Sequence, residues 1–287
     1  MGTSTRNTGQ SGHNPLIPTW LEDDPLPTLE SAISQELGTQ PQQPETSPQP
    51  ILPTLQIPPE ADPNRFRGPR TSFTHFTSSG GRDSSTLRRG VSHYISRSLG
   101  GSRNATKRLG ASRTSTARLY NVLHTLSGAG GLQKVASLLS LDTLEGLPAA
   151  DFFIHLAKFI CPDGGPEDEG ISRSAYYDTV ADNPEMMEKP TQSLTKEEID
   201  AVFQRYMAKI VMQQILNGIA NNVIRFSETL EEISHIEDVV EQLIEQSVSD
   251  ACAQVKQDNV EMTNERAKEI TDGIYLKVFE ILEGAGE

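Results

Sequence analysis

The sequence predicts an all-α fold: a helical bundle of about seven helices preceded by a long disordered N-terminal arm. Three observations predict it. From Thr114 onward apolar residues recur every three or four positions, without the strict alternation of a half-buried strand. Twelve of the eighteen prolines fall before residue 65, around a Gln/Pro/Ser/Thr-rich run from Thr39 to Pro50. So little apolar surface cannot offset the roughly 1–2 kcal/mol per residue that ordering a backbone costs. Charge is also segregated. Residues 1–64 hold one base and eight acids, residues 65–118 twelve bases and one acid, and residues 119–287 twelve bases and thirty acids. The net −14 is therefore an acidic arm at −7, a basic segment at +11 and an acidic domain at −18. The three stretches are read as the three divisions of the chain.

Within the arm, Pro15 to Asp24 sets the only tryptophan, Trp20, and Leu21 in an apolar patch followed by three acids. This pattern reads as a linear motif for a partner. Thr28–Leu37 and Ile51–Ile57 are further apolar islands, open between motif and linker. Gly68 to Gly81 reads as a loop anchored by Phe66, Phe73 and Phe76. Asp83 or Ser84 caps a helix with Leu87, Val91, Tyr94, Ile95 and Leu99 inside, stopped by Gly100-Gly101. A ten-residue repeat follows, Leu99 to Leu109 matching Leu109 to Leu119. Ten residues fall short of three helical turns, so the repeat predicts two short helices joined at Gly110 rather than one continuous face.

The remaining elements are helices by period. Leu119, Tyr120, Leu123 and Leu126 share a face that ends at Ser127–Gly131, and Leu132–Leu141 is a second segment. Pro148 suits the first turn of a third, with Phe152, Phe153, Leu156, Phe159 and Ile160 inside, ended at Pro162. The acidic run Asp163–Glu169 reads as a solvated loop, or one facing the basic segment, because its acids and glycines miss the EF-hand register. It leads into a helix with Ala175, Tyr176 and Val180. Thr195-Lys-Glu-Glu198 is a capping box opening a helix to about Ile219. Glu228 to about Val255 and a helix capped by Thr263, with Ile270, Ile274, Val278 and Leu282 as its stripe, complete the bundle.

Chemistry-bearing motifs are missing. There is no HExxH, CxxC or GxSxG, and Gly101 to Lys107 departs from a phosphate loop at Thr106 and Arg108. No catalytic residue and no cofactor are expected. The six histidines lack ligand spacing, so no metal is expected either. Cys161 and Cys252 read as buried free thiols of a cytoplasmic protein. No apolar run is long enough to span a membrane, and Arg6 breaks the myristoylation pattern. What remains is the basic segment, with Arg67, Arg70, Arg103, Arg108, Arg113 and Arg118 as candidate contacts. It could bind nucleic-acid phosphates, pair with the chain's own acidic domain, or meet an acidic partner protein. Composition leaves the three open.

A set of short motifs narrows the choice. They are Met1-Gly-Thr-Ser-Thr5, Pro15 to Leu21, Arg65 to Arg70, Phe73 to Gly80, the Leu87–Leu119 region, Cys161-Pro-Asp-Gly-Gly165 and the long acidic helix after Thr195. In these the chain resembles the B component of the bacterial Qat anti-phage defence systems. The resemblance implies a four-gene module whose other members are a P-loop ATPase, an enzyme like the preQ0 synthase of the queuosine pathway, and a TatD-like metal-dependent nuclease. It implies a non-enzymatic substrate or scaffold, with nucleic-acid binding by residues 65–118 as the alternative. By analogy with a related defence system it also implies that Gly2, exposed once Met1 is removed, accepts a deazaguanine-type adduct from the synthase-like partner.

Overall fold

The computed structural model describes residues 64–141, 144–161, 167–220, 230–255 and 262–286. They form eleven α-helices: α1 (Arg67–Ser78), α2 (Ser84–His93), α3 (Ser102–Lys107), α4 (Ala111–Ser127), α5 (Gly131–Leu138) and α6 (Ala149–Ile160), then α7 (Glu167–Ala181), α8 (Pro184–Met187), α9 (Lys196–Ala220), α10 (Leu230–Gln254) and α11 (Asn264–Gly284). The all-α class holds; among the described residues the only extended pairing is an isolated bridge between Pro148 and Pro190. The count exceeds seven mainly because the basic segment contributes three helices, α1–α3, of its own.

The supposed loop Gly68–Gly81 is in fact largely α1. Pro69 falls in the first turn, where its missing N–H leaves no hydrogen bond unmade. Pro69, Phe73, Phe76 and Thr77 then lie on one buried face. That face packs on α2, which approaches closely because Gly90 has no side chain: a Cβ there would sit 3.0 Å from Phe73 and 3.3 Å from Ser72. Asp83 caps α2 by accepting from the backbone N–H of Ser85 at 3.1 Å and of Thr86 at 3.2 Å. A π-helical turn, Tyr94–Ser98, follows, and Gly100 and Gly101 end it at φ of +83° and +93°.

The repeat is legible in three dimensions. Leu99, Leu109 and Leu119 are all buried, and Thr106 and Thr116 each donate to the carbonyl four residues back, at 2.9 and 2.8 Å. Gly110, at φ +49°, turns the chain between the short α3 and the longer α4. Residue 118, where the charge changes sign, lies inside α4.

α4 and α11 form the centre. α11 packs on α2, α3, α4 and α10, and α9 packs on α4, α7 and α10. The sequence stripes Val202, Phe203, Tyr206, Ile210 and Ile215 on α9, and Ile270, Ile274, Val278 and Leu282 on α11, are buried. Both predicted caps are made. Thr195 and Glu198 exchange reciprocal bonds at 3.0 and 3.2 Å, and Thr263 accepts from the Arg266 N–H at 3.2 Å. Glu167 already opens α7, so the acidic loop is shorter than the composition implied; residues 162–166 lie outside the described set. The basic segment is built into this core: Phe73, Phe76, Tyr94 and Ile95 join the same apolar cluster as α9 and α11.

Candidate functional site

Two places on the molecule concentrate polar chemistry. The first is the basic segment. Three of its contacts fasten it to α11, which presents Asp272, Tyr275 and Glu283 along one side. Arg113 donates twice to the Asp272 carboxylate, from Nε at 2.7 Å and Nη2 at 2.5 Å. The Thr116 and Tyr275 hydroxyls share a hydrogen bond of 2.7 Å. The Glu283 carboxylate accepts from the Ser102 backbone N–H at 3.2 Å and from its hydroxyl, placing an acid at the start of α3. Arg118 reaches the Ile160 carbonyl at 3.4 Å, at the end of α6.

The candidate arginines therefore separate. Arg113 and Arg118 are taken up within the fold, while Arg103 is exposed on α3. Arg108 is half-buried; burial pulls its pKa down, and Arg65 beside it acts in the same direction against a smaller opposing effect of Tyr94. Arg67 and Arg70 do come together, on a shallow groove of about 440 Å³ along α1 with Phe66, Thr71, Thr74 and His75. The Arg65 and Arg70 guanidinium carbons stand 5.0 and 5.4 Å from the Phe66 ring centroid, a cation–π arrangement. Arg70 Nε is buried, with no hydrogen-bond partner among the described residues. Arg67, Arg82, Arg88, Arg89, Arg97, Arg103 and Lys107 are exposed, so the outer side of α1–α3 is a basic surface. His93 lies under it, its pKa lowered first by burial and then by Arg97 and Arg89. Gly2, Trp20 and Leu21 lie outside the described residues.

The second place was not anticipated. Helices α4, α9, α10 and α11 leave between them a cavity of about 520 Å³. Tyr120 and Phe203 meet there with ring centroids 5.0 Å apart and planes at 57°. Tyr120 is 6% exposed and its hydroxyl has no hydrogen-bond partner among the described residues. Its pKa is raised by burial and, beyond that, by Asp200 and Cys252, both of which line the same cavity. Burial also raises the Asp200 carboxyl and pushes the Cys252 thiol up to about 12. Only the apolar stripe containing Tyr120 and Phe203 was visible in sequence; no spacing links Tyr120, Asp200 and Cys252, which come from three helices.

Among the described residues, no group of three or more His, Cys, Asp or Glu side chains is placed to hold a metal ion. Cys161, buried, and Cys252, half-buried, are not joined in a disulfide. No described helix is long and apolar enough to cross a membrane.

In comparison with known proteins, the family model described as Qat anti-phage system associated protein QatB matches residues 100–282. The match takes in α3 through most of α11 and does not extend over the motifs before residue 100. No curated protein and no solved structure matches the chain.

Proposed function

Since the chain belongs to the QatB family and is thus a component of the Qat anti-phage defence system, we propose that it serves there as a non-enzymatic substrate or scaffold. The observation that carries the scaffold reading is the mounting of the basic segment. Arg113, Thr116 and Ser102 fasten α3 and α4 to α11, while seven other bases between Arg67 and Lys107, on α1–α3 and their connections, stay exposed. A rigidly held, predominantly basic surface favours an acidic partner through both encounter rate and register. By the resemblance, the partners are the P-loop ATPase, the preQ0-synthase-like enzyme and the TatD-like nuclease of the same module, met in the cytoplasm. Co-purification of the chain with these proteins tests the reading. Arg88→Glu with Arg89→Glu, both exposed on α2, should release a partner and leave the helical fold unchanged. Retention of all partners by that variant would refute a docking role for this surface.

The substrate reading concerns Gly2. After removal of Met1 its α-amine, with a pKa near 8, is in part unprotonated and nucleophilic at cell pH. Attack on an ATP-activated deazaguanine carboxylate would form an amide and release the activating group. Mass spectrometry of the N-terminal peptide from defending cells should show the adduct, lost when the synthase-like partner is inactivated. An unmodified Gly2 peptide at full occupancy would refute it.

Nucleic-acid binding is the second reading, favoured by the α1 groove, where Arg70 stacks on Phe66 with its Nε unpartnered among the described residues. Affinity for a DNA or RNA duplex should then fall steeply with salt, and Arg67→Ala with Arg70→Ala should flatten the slope by about one unit per lost phosphate contact. Absence of salt-dependent binding would exclude this role.

A further inference from the structure

We propose that the groove along α1 is a docking site for a segment of this same chain, Pro15–Asp24 of the N-terminal arm. The groove lies where the arm joins the helical body: Asn64, the first described residue, lines it with Phe66, Arg67, Arg70, Thr74 and His75. Its lining holds two arginines and a histidine and no carboxylate, so the side chains themselves set the sign of the occupant. Among the described residues neither Arg67 nor Arg70 has an ion-pair partner. The groove begins at the start of α1, whose first turn holds no acid and whose N-cap, Phe66, makes no side-chain cap bond. The positive end of that helix therefore favours a carboxylate from elsewhere. The Phe66 ring, with the Arg65 and Arg70 guanidinium carbons 5.0 and 5.4 Å from its centroid, adds a flat cationic floor. An indole ring laid on guanidinium planes gains stacking and cation–π contact.

Pro15–Asp24 answers each of these features. It carries Trp20 and Leu21, followed directly by Glu22, Asp23 and Asp24. The other apolar islands of the arm do not: Thr28–Leu37 has only the separated acids Glu30 and Glu36, and Ile51–Ile57 has none. Residues 25–63 form a tether of thirty-nine residues that ends at the edge of the groove. A tether of this length holds the segment at an effective concentration on the order of 1 mM, so even a millimolar contact is occupied about half the time. The docked arm would compete with any acidic partner or nucleic acid for α1, and the proposal depends on neither of those readings of the basic surface.

Trp20 is the only tryptophan, so its fluorescence in the full-length protein reports on this segment alone. At low salt, acrylamide should quench Trp20 about two-fold less in the native chain than in a variant with Glu22→Lys, Asp23→Lys and Asp24→Lys. Salt at about 1 M, where the Debye length is about 3 Å, should erase that difference. Arg67→Glu with Arg70→Glu should expose Trp20 to the same extent. Combining the two sets of reversals should restore protection, because opposite charges again face each other. The arm variant leaves every residue of the helical body unchanged, so a loss of protection there is not a loss of fold. Equal quenching in the native chain and the arm variant would overturn the proposal and leave the groove to a separate partner. Protection that survives the groove reversal would put the segment elsewhere, and protection that rises with protein concentration would make the occupant a second copy. Either result would also overturn it.

Discussion

In residues 65–118 the one acid, Asp83, does not pair with any of twelve bases; it caps α2. In the acidic part the minority sign is bases, and five of its twelve are held by acids. Lys209 lies 2.9 Å from Asp182 and 2.7 Å from Glu241, and Arg205 lies 3.8 Å from Asp182 and 3.4 Å from Glu245. Lys189, Arg266 and Lys277 likewise each have a carboxylate partner. The difference teaches that charge segregation along a chain does not translate into two surfaces simply pressed together. The acidic part satisfies five of its bases locally, and Asp272 and Glu283 on α11 reach across to the basic part. The remaining surplus on α1–α3 faces outward, where a partner can use it.

The strongest way to break this comparison is through the core that both regions share. Phe76 belongs to the basic segment but is fully buried in the common cluster. Phe76→Ala should cost about 3–5 kcal/mol and lower one cooperative unfolding transition for the whole helical body. Unfolding of the basic segment alone, with the acidic helices melting unchanged, would show that the two are separate units.

Next in size is the crossing pair itself. Arg113 and Asp272 are each about a quarter exposed, so solvent screens part of their attraction. Asp272→Ala should cost about 1–2 kcal/mol by denaturant unfolding, and a double-mutant cycle with Arg113→Ala should recover most of it as coupling. Coupling near zero would mean that packing, not charge, joins the regions.

The cap on α2 should show a smaller, pH-dependent effect. The Ser85 hydroxyl, and then the Thr86 backbone N–H, hold the Asp83 carboxyl below its ordinary value of 3.8. A depressed folded pKa gives stability that is full above the unfolded value and is lost as the pH falls through the folded one. The difference in melting temperature between the native chain and Asp83→Ala should therefore be present at neutral pH and shrink in acid. A difference that persists unchanged in acid would contradict the carboxylate cap. The least effect belongs to the acidic side's own pairs. Arg205→Ala should change stability by less than about 0.5 kcal/mol, and high salt should erase even that, since its contacts are long and exposed.

These outcomes trace back to what each residue's neighbours in sequence can dictate. Leu87, Val91, Tyr94 and Ile95 announced α2 by spacing, and Asp83 announced its start, because a cap bonds to backbone two and three residues away. α1 was missed because Gly68 and Pro69 resemble loop punctuation, although a first turn tolerates both. Of the arginines, a ten-residue spacing kept Arg103, Arg108, Arg113 and Arg118 off a single continuous helical face, but did not say which of them would be consumed. The cavity left no sequence signal beyond an apolar stripe.

By itself the sequence determined the all-α class, the limits of most helices, their caps and most of their buried stripes, although Phe159 of α6, expected inside, is 37% exposed. All of these follow from contacts three or four residues apart. Tertiary structure alone decided that Arg113 would meet Asp272, 159 residues away, and that Tyr120, Asp200 and Cys252 would line one cavity. Such meetings depend on how helices pack against one another, and helical periodicity says which face of a helix is buried but not which other helix will cover it.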